Sequence, residues 1–198
     1  MSLRYFLPLY LLAYLVAAFF WRSFIVWKKT SINPVVFKGT DNAHDFIGRA
    51  FKLLFALIVI VVFGYSFWPE LYGYAIPIEW LDHARFKRLG VALLLLSLLW
   101  TVLAQAQMGK SWRIGIDQQH PTSLVRRGVF AVSRNPIFLG MMLTLLGLFL
   151  VVPNALTLLA LVVGVLLIQI QVRLEEEFLA NTHGEEYEQY KREVRRWI

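Results

Sequence analysis

The hydrophobic residues of this chain form long charge-poor blocks that are separated by short polar stretches. Three of these blocks have about the length of one membrane-spanning helix: Tyr5–Trp21, Ala50–Trp68 and Leu89–Gln107. A fourth, 135–172, is 38 residues long, nearly twice one span, and contains Pro153 and Asn154 near its middle. Irregular backbone is not tolerated in lipid without hydrogen-bond partners, so this block predicts two helices joined by a tight turn. The pattern therefore predicts five transmembrane helices, the fourth and fifth forming a helical hairpin.

Three further features concern the ends and the packing of these helices. The first block is followed directly by basic residues, which favours a retained membrane anchor over a cleaved signal peptide. In the fourth helix Gly140 and Gly147 are seven residues apart on one face, which predicts a close approach within the hairpin. After the hairpin, Gly184 predicts a helix stop, and the acid-to-base order of residues 185–196 predicts a short helical tail.

Composition places the chain among all-α integral membrane proteins. It has 198 residues, of which 58% are hydrophobic and 17% charged, and this length suits a single domain over residues 1–198. Within it we expect a three-helix membrane scaffold at 1–107 and a region carrying the chemistry at 108–198. The chain has no cysteine, which excludes a disulfide framework and a thiolate metal site.

The distribution of charge predicts the orientation in the membrane. The formal net charge is +7, but the basic residues lie in short loops beside the apolar blocks, so they indicate topology and contact with anionic lipids and not nucleic-acid binding. Sixteen of the 20 lysines and arginines fall in the first loop, the third loop and the tail. This imbalance predicts an inner-membrane protein with its N-terminus outside and its third loop and C-terminal tail in the cytoplasm.

The third loop ends in the start of a helix. Asn135 is a favourable N-cap residue, and Pro136 suits the first helical position. The backbone N–H groups of Ile137, Phe138 and Leu139 would then be available to an anion. An ordinary capped membrane helix with basic anchors explains the same residues equally well.

The hairpin brings the start of the fourth helix close to the end of the fifth. Directly after Val172 come Arg173 and the run Glu175–Glu177. Acidic residues at the C-terminal end of a helix oppose its dipole unless the helix continues, so either the helix extends with a charged face or the carboxylates serve a site. Arg134 is the expected partner for one of them across the hairpin.

Histidines give no convincing metal or catalytic site. His44 and Asp45 lie in a polar connection, where isolated polar residues are usually solvated. His120 and His183 are expected in loops and receive no role. No metal site is expected.

The third loop, the hairpin and the tail together resemble a family. The residues are Gly128, Phe130, Arg134-Asn135-Pro136, Phe138 and Gly140, followed after the hairpin by Glu175-Glu176, Leu179, Gly184, Tyr187 and Tyr190. This spacing resembles the superfamily of isoprenylcysteine carboxyl methyltransferases and phospholipid methyltransferases. The resemblance covers nearly half of the chain and implies a membrane enzyme that uses S-adenosylmethionine and releases S-adenosylhomocysteine.

The resemblance also implies roles for individual residues. The positions that correspond to cofactor contacts are Thr122, Ser123, Leu124, Val125, Phe130, Asn135, Pro136, Ile137, Phe138 and Glu175. Chemistry agrees with it: a helix start and Arg134 suit the carboxylate of the methionine moiety, Glu175 suits ribose hydroxyls or the amino group, and aromatic faces suit a sulfonium.

The sequence departs from the family pattern in three ways. Asn135 replaces the usual histidine, Phe130 and Phe138 replace tyrosines, and Gln171 stands where prenylcysteine enzymes have an arginine that touches the substrate. The cofactor-binding positions are largely kept despite these changes. The identity of the substrate cannot be carried over from the family.

The methyl acceptor is expected to be lipid-like or isoprenylated and to enter from the bilayer. A carboxylate acceptor needs a nearby cation, for which Arg173 and Arg113 are candidates, although Arg113 is equally well explained as an interfacial anchor. An amine acceptor needs a proton acceptor, for which Glu176 is the candidate.

Two other functions compete with the enzyme. One is a non-enzymatic helical scaffold or complex subunit that binds lipid or a partner protein. The other is a transporter, which is disfavoured because the spans carry almost no charge and show no internal repeat.

Overall fold

The structure, a computed structural model, describes residues 2–36, 42–115 and 122–198 of the chain, and its regular elements there are helices. The α-helices are α1 (Leu3–Leu15), α2 (Arg22–Thr30), α3 (Ala43–Phe67), α4 (Ala84–Met108), α5 (Pro136–Val151), α6 (Ala155–His183) and α7 (Glu185–Glu193). Among these residues β-structure is limited to two isolated bridges, Val35 with Ile114 and Pro77 with Asn154. His120 lies outside the described residues.

Four helical segments in the described residues are long and apolar enough to cross a membrane. They are Leu3–Thr30, in which the π-helical stretch Val16–Trp21 joins α1 to α2, and Ala43–Phe67, Ala84–Ser111 and Ala155–His183. Helix α5 is apolar but has 16 residues, so at 1.5 Å per residue it is about 24 Å long, shorter than the hydrocarbon core of about 30 Å. The all-helical membrane architecture therefore agrees with the sequence, and the count of five spans stays a prediction.

Two helix boundaries differ from the expected ones. Helix α3 begins at Ala43, earlier than the predicted start near residue 50, because the Asn42 side chain accepts a hydrogen bond from the Asp45 N–H at 2.7 Å and caps the helix. Helix α6 runs unbroken to His183, well beyond Val172. The run Glu175–Glu177 thus lies inside a helix, which removes the predicted conflict with the helix dipole.

The glycines of α5 allow close packing, but against α4 and not within the hairpin. A Cβ on Gly147 would lie 3.0 Å from the Gly90 carbonyl oxygen, and a Cβ on Gly140 would lie 2.2 Å from Thr101 Oγ1. The expectation that these glycines face the hairpin partner is therefore wrong. Toward α6 the contact is made instead by Gly164, where a Cβ would lie 2.4 Å from the Leu145 side chain.

The turn between α5 and α6 is rigidly built. Asn154 is fully buried, and its side chain accepts from the Thr157 N–H at 2.9 Å, while the Thr157 hydroxyl accepts from the Asn154 N–H at 3.2 Å. This reciprocal pair is a capping box. The Pro153 carbonyl also accepts from the Ile78 N–H at 2.9 Å, so the segment after α3 is joined to the turn.

Polar side chains connect the N-terminal helices to the rest of the bundle. Tyr10 and Ser97 hydroxyls lie 3.5 Å apart, and Ser97 lies 2.8 Å from the Thr144 hydroxyl, which links α1, α4 and α5. Gln105 donates to the Ala18 carbonyl at 3.0 Å within the π-helical stretch. These contacts fix α4 and α5, the two helices that lead into the site described next.

Candidate functional site

One pocket opens where α5 begins and where α6 continues toward the tail. All of the predicted cofactor residues line it: Thr122, Ser123, Leu124, Val125, Phe130, Arg134, Asn135, Pro136, Ile137, Phe138 and Glu175. Met108, Ser111, Leu179 and Tyr190 complete its wall. The space between these residues amounts to about 610 Å³ when the open mouth and its solvent are included. The hairpin therefore brings Asn135 and Glu175 to a common cavity.

The start of α5 forms one wall of the pocket. Pro136 is at the first helical position as predicted, but the side chain of Asn135 makes no cap hydrogen bond. Its amide instead donates to Glu176 Oε1 at 3.0 Å. The predicted side-chain cap is therefore wrong: the side chain is directed toward Glu176, and its oxygen accepts no hydrogen bond from the first turn of α5. Among the described residues no acceptor is provided for the N–H groups of Ile137 and Phe138, so this helix end suits an anionic ligand.

Arg134 lies beside this helix end with its guanidinium held in place. Its side chain is about nine-tenths buried, and Nη2 donates to Glu176 Oε1 at 3.1 Å. Nη1 donates to the carbonyls of Lys191 and Val194 at 3.0 and 2.9 Å. The buried Nε has no hydrogen-bond partner within the described part of the chain. Arg134 thus brings a fixed positive charge to the pocket wall.

Glu175 supplies a carboxylate on the opposite wall. Gln171, one helical turn earlier and buried, donates its amide to Glu175 Oε1 at 2.8 Å. Glu175 Oε2 receives no hydrogen bond from any described residue, so it can accept from a ligand. The Gln171 side chain also hydrogen-bonds His44 at the start of α3. The site therefore combines an anion-binding helix end with a separate acceptor for hydroxyl or amino groups.

Comparison with known proteins identifies a family whose model matches the part of the chain that forms the pocket. A family model described as phospholipid methyltransferase matches residues 86–186, which is half of the chain and includes every lining residue except Tyr190. The chain belongs to the phospholipid methyltransferase family. It is also 38% identical over 63 residues to an uncharacterized protein of Haemophilus influenzae, a match that covers 31% of this chain and 100% of that protein.

Membership in the phospholipid methyltransferase family confirms the resemblance found in the sequence and makes this chain a membrane methyltransferase in general terms. Members of this family generally use S-adenosylmethionine. The N-terminal helices, before residue 86, lie outside the matched region.

Four predicted substrate or catalytic residues of this family member do not line the pocket. Arg173 is exposed on another face of α6, where it donates to the Gln169 carbonyl at 2.6 Å. Arg113 donates to the carbonyls of Lys110 and Trp112. Gln171 lies behind Glu175, as described above, and its proposed contact with substrate stays a prediction.

Glu176, the fourth of these predicted residues, forms ion pairs with Arg134 and Arg196. Arg196 donates to both of its oxygens, with a closest distance of 2.7 Å, and Arg134 donates to Oε1. The side chain is about 8% exposed. The sequence predicts that Arg134 pairs with one of the carboxylates in Glu175–Glu177, and in the structure this residue is Glu176. The contact with Arg196 was not predicted. The suggestion that Glu176 accepts a proton from substrate stays a prediction, and the two ion pairs disfavour it.

Four residues that line the pocket had no predicted role in it: Met108, Ser111, Leu179 and Tyr190. Tyr190 was within the recognised motif: its hydroxyl donates to the Phe130 carbonyl at 2.6 Å, and burial raises its pKa to about 12, so it stays a neutral donor at physiological pH. Ser111 donates to the Ser123 carbonyl at 3.1 Å and so holds the pocket loop to the end of α4. The sequence contains no periodic signal for such contacts between loops.

Proposed function

We propose that the pocket binds S-adenosylmethionine and that the protein transfers its methyl group to a lipid-like or isoprenylated acceptor at the inner membrane face. The observation that carries this proposal is the meeting of all the predicted cofactor residues, drawn from a loop, the start of α5 and the C-terminal half of α6, in one pocket. Such convergence of distant segments is a stronger argument than any single motif.

The donors and acceptors in the pocket suit the parts of this cofactor. The positive charge of Arg134 and the free N–H groups at the start of α5 are suited to the carboxylate of the methionine moiety. Glu175 Oε2 is suited to ribose hydroxyls or an amino group. The aromatic rings of Phe130 and Phe138 are suited to the sulfonium.

The protein contributes mainly orientation and exclusion of water. When bound, S-adenosylmethionine supplies an electrophilic methyl group and leaves as S-adenosylhomocysteine. Methyl transfer requires the donor and the acceptor to be held in line and nearly in contact, and such orientation can lower a barrier by about 7 to 11 kcal/mol. Gln171, by fixing Glu175, and Glu176, by fixing Arg134, prepare the residues around the cofactor for this task.

We further propose that α5 is a fifth span and that the pocket faces the cytoplasm. Helix α5 packs backbone to backbone against α4, so it shares the membrane with that helix although it is short. The bias of lysine and arginine places the pocket loop and the tail on the inner side, where the polar cofactor is available. The acceptor then enters between helices from the bilayer, and anionic lipids contact the basic tail.

A carboxylate and an amine remain alternative acceptors. A carboxylate loses no proton on methylation and needs a cation, whereas a protonated amine must lose a proton. Glu175 is a carboxylate of the pocket that connects through Gln171 to His44, and this chain of polar groups is compatible with an amine. Arg113 and Arg173 are outside the pocket lining, which weakens the case for a carboxylate.

Calorimetry with S-adenosylmethionine and S-adenosylhomocysteine on detergent-purified protein tests the cofactor. We expect saturable binding that is lost or strongly weakened in Glu175→Ala. Glu177→Ala is the matched control, because Glu177 is two residues away on the same helix and exposed. Absence of binding by the unmodified protein would contradict the proposal and favour a non-enzymatic scaffold.

An untargeted search can identify the acceptor. Purified protein and S-adenosylmethionine are incubated with membrane lipid extracts, and mass spectrometry is used to search for products heavier by one methylene group. We expect such a product with the unmodified protein and none with Glu175→Ala.

A further inference from the structure

The five residues 194–198, here called the strap, lie against the start of α5. They come after the region that matches the family, which ends at residue 186. Trp197 packs against the cluster formed by Leu145 of α5 and Ile168 and Val172 of α6. The strap is thus anchored on both helices that form the pocket.

Carbonyl oxygens of the strap accept hydrogen bonds from the residues just before the start of α5. The Arg134 N–H donates to the Arg195 carbonyl at 3.0 Å, and Arg134 Nη1 donates to the Val194 carbonyl at 2.9 Å. The hydroxyl of Ser133 donates to the Arg196 carbonyl at 3.2 Å. Three residues of the strap therefore fix the backbone and the side chain next to the anion-binding helix end.

Arg196 adds a charged contact to the same arrangement. Its guanidinium donates to both oxygens of Glu176, from Nε at 3.2 Å to each and from Nη2 at 2.7 Å to Oε2. Glu176 in turn accepts from Arg134 Nη2 and from the Asn135 amide. One buried carboxylate thus links the strap to two residues of the pocket wall.

This network fixes the guanidinium of Arg134, a residue that lines the pocket. Its Nη atoms donate to Glu176 and to the carbonyls of Lys191 and Val194. The Val194 carbonyl belongs to the strap, and Arg196 of the strap holds the Glu176 carboxylate. The orientation of Arg134 therefore depends on the strap both directly and through Glu176.

We propose that Arg196 is a positioning residue of the cofactor site, which acts through Glu176 and Arg134 to orient the donors that bind the carboxylate of the cofactor's methionine moiety. This inference rests on the proposed function. It assigns Glu176 to positioning and places part of the cofactor site in residues beyond the family match.

The test compares two ligands, of which the second lacks the amino-acid part and, as a neutral thioether, the sulfonium charge. S-adenosylmethionine carries the carboxylate, whereas methylthioadenosine keeps the nucleoside and the sulfur but lacks the amino-acid part. In Arg196→Gln we expect affinity for S-adenosylmethionine to fall at least about tenfold, since a charge-assisted network is broken. We expect affinity for methylthioadenosine, measured by competition, to stay within about twofold of the unmodified protein.

Matched variants separate positioning from general effects. Arg192→Gln removes the same charge from an exposed residue of α7 that forms no ion pair with the described residues, and we expect it to bind both ligands normally. Arg196→Lys keeps the charge but loses the planar guanidinium that contacts both oxygens of Glu176, so we expect its affinity to lie between those of Arg196→Gln and the unmodified protein. Thermal unfolding of each variant reports its folding.

The outcomes are distinct. Unchanged affinity in Arg196→Gln, or an equal loss for both ligands, would overturn the inference, because an equal loss indicates a merely structural role. Failure of the unmodified protein to bind S-adenosylmethionine would instead overturn the proposed function. Should Arg196→Gln not fold, Arg196→Lys becomes the test, because it keeps the charge and loses the two-pronged contact with Glu176. A selective loss of S-adenosylmethionine affinity in Arg196→Lys supports the inference, and affinities equal to those of the unmodified protein contradict it.

Discussion

At the residue scale, two adjacent glutamates of α6 have different surroundings. Successive residues of an α-helix point about 100° apart, so Glu175 faces the pocket while Glu176 faces Arg134 and Arg196. The sequence predicted that this pair matters, because its spacing from Asn135 fits a known family. The separate roles could not be predicted, because they depend on Arg196, whose approach to α6 is a long-range contact without a local signal.

Gln171 gives the first prediction at this scale. Replacing it by Ala removes the hydrogen bond to Glu175, and a hydrogen bond to a charged group is worth about 1.5 to 3 kcal/mol. We expect cofactor affinity in Gln171→Ala to fall at least about tenfold in calorimetry, because Glu175 is no longer held. Gln169→Ala is the control, since Gln169 contacts Arg173 outside the pocket. Equal affinities of Gln171→Ala and the unmodified protein would show that Glu175 needs no support.

At the scale of elements, the α4–α5 contact shows what a glycine pattern does and does not predict. The spacing of Gly140 and Gly147 indicated a close helix approach, and a close approach is present. The partner was wrong, because a seven-residue spacing specifies a face of one helix and carries no information on which neighbour meets that face. In the same way, hydropathy located the helices well but not their ends, which depend on caps such as Asn42.

This contact gives a stability prediction. A Cβ in Gly147→Ala would meet the Gly90 carbonyl oxygen and the Leu94 backbone nitrogen at 3.0 and 3.1 Å, which forces the helices apart. We expect a loss of about 1 to 3 kcal/mol in the free energy of unfolding and a lower melting temperature in detergent. In the control Gly64→Ala the new Cβ has nothing within 4 Å, so no loss is expected. A melting temperature of Gly147→Ala equal to that of the control would count against the described packing.

The turn after α5 gives a second stability prediction. Asn154→Ala removes the buried capping box, and loss of an N-cap costs about 0.5 to 2 kcal/mol. We expect a lower melting temperature with unchanged cofactor affinity, because the turn and the pocket lie at opposite ends of α5. Thermal unfolding and calorimetry on the same sample check both parts, and a change in affinity would indicate that the two ends are coupled.

At the scale of the whole molecule, the pocket lies at one end of the helical bundle, and the segment between α3 and α4 lies at the other, against the turn after α5. The sequence predicts the direction of this arrangement in the membrane through its basic residues, because charge bias is a property of composition and needs no contacts. The pocket itself could be predicted only through resemblance to a family, since its walls come from three separate segments.

Orientation can be tested because the chain has no cysteine, so any introduced thiol is unique. Glu79 lies between α3 and α4, and Glu185 begins α7; we use both as labelling positions at opposite ends of the bundle. A membrane-impermeant maleimide is applied to spheroplasts, in which the inner membrane is sealed and its outer face is accessible. We expect Glu79→Cys to be labelled and Glu185→Cys to be protected until the inner membrane is permeabilised. The reverse pattern would place the pocket outside the cytoplasm.

The unbroken course of α6 limits how this protein can change over evolution. The helix begins at the fixed turn around Asn154 and carries Gln171, Glu175 and Glu176 along its length. Inserting one residue between the turn and Gln171 would rotate all three side chains by about 100° and displace them by about 1.5 Å. Each would then face the wrong neighbour. Related chains should therefore accept many substitutions on the lipid-facing side of this helix while keeping the number of residues between its two ends constant.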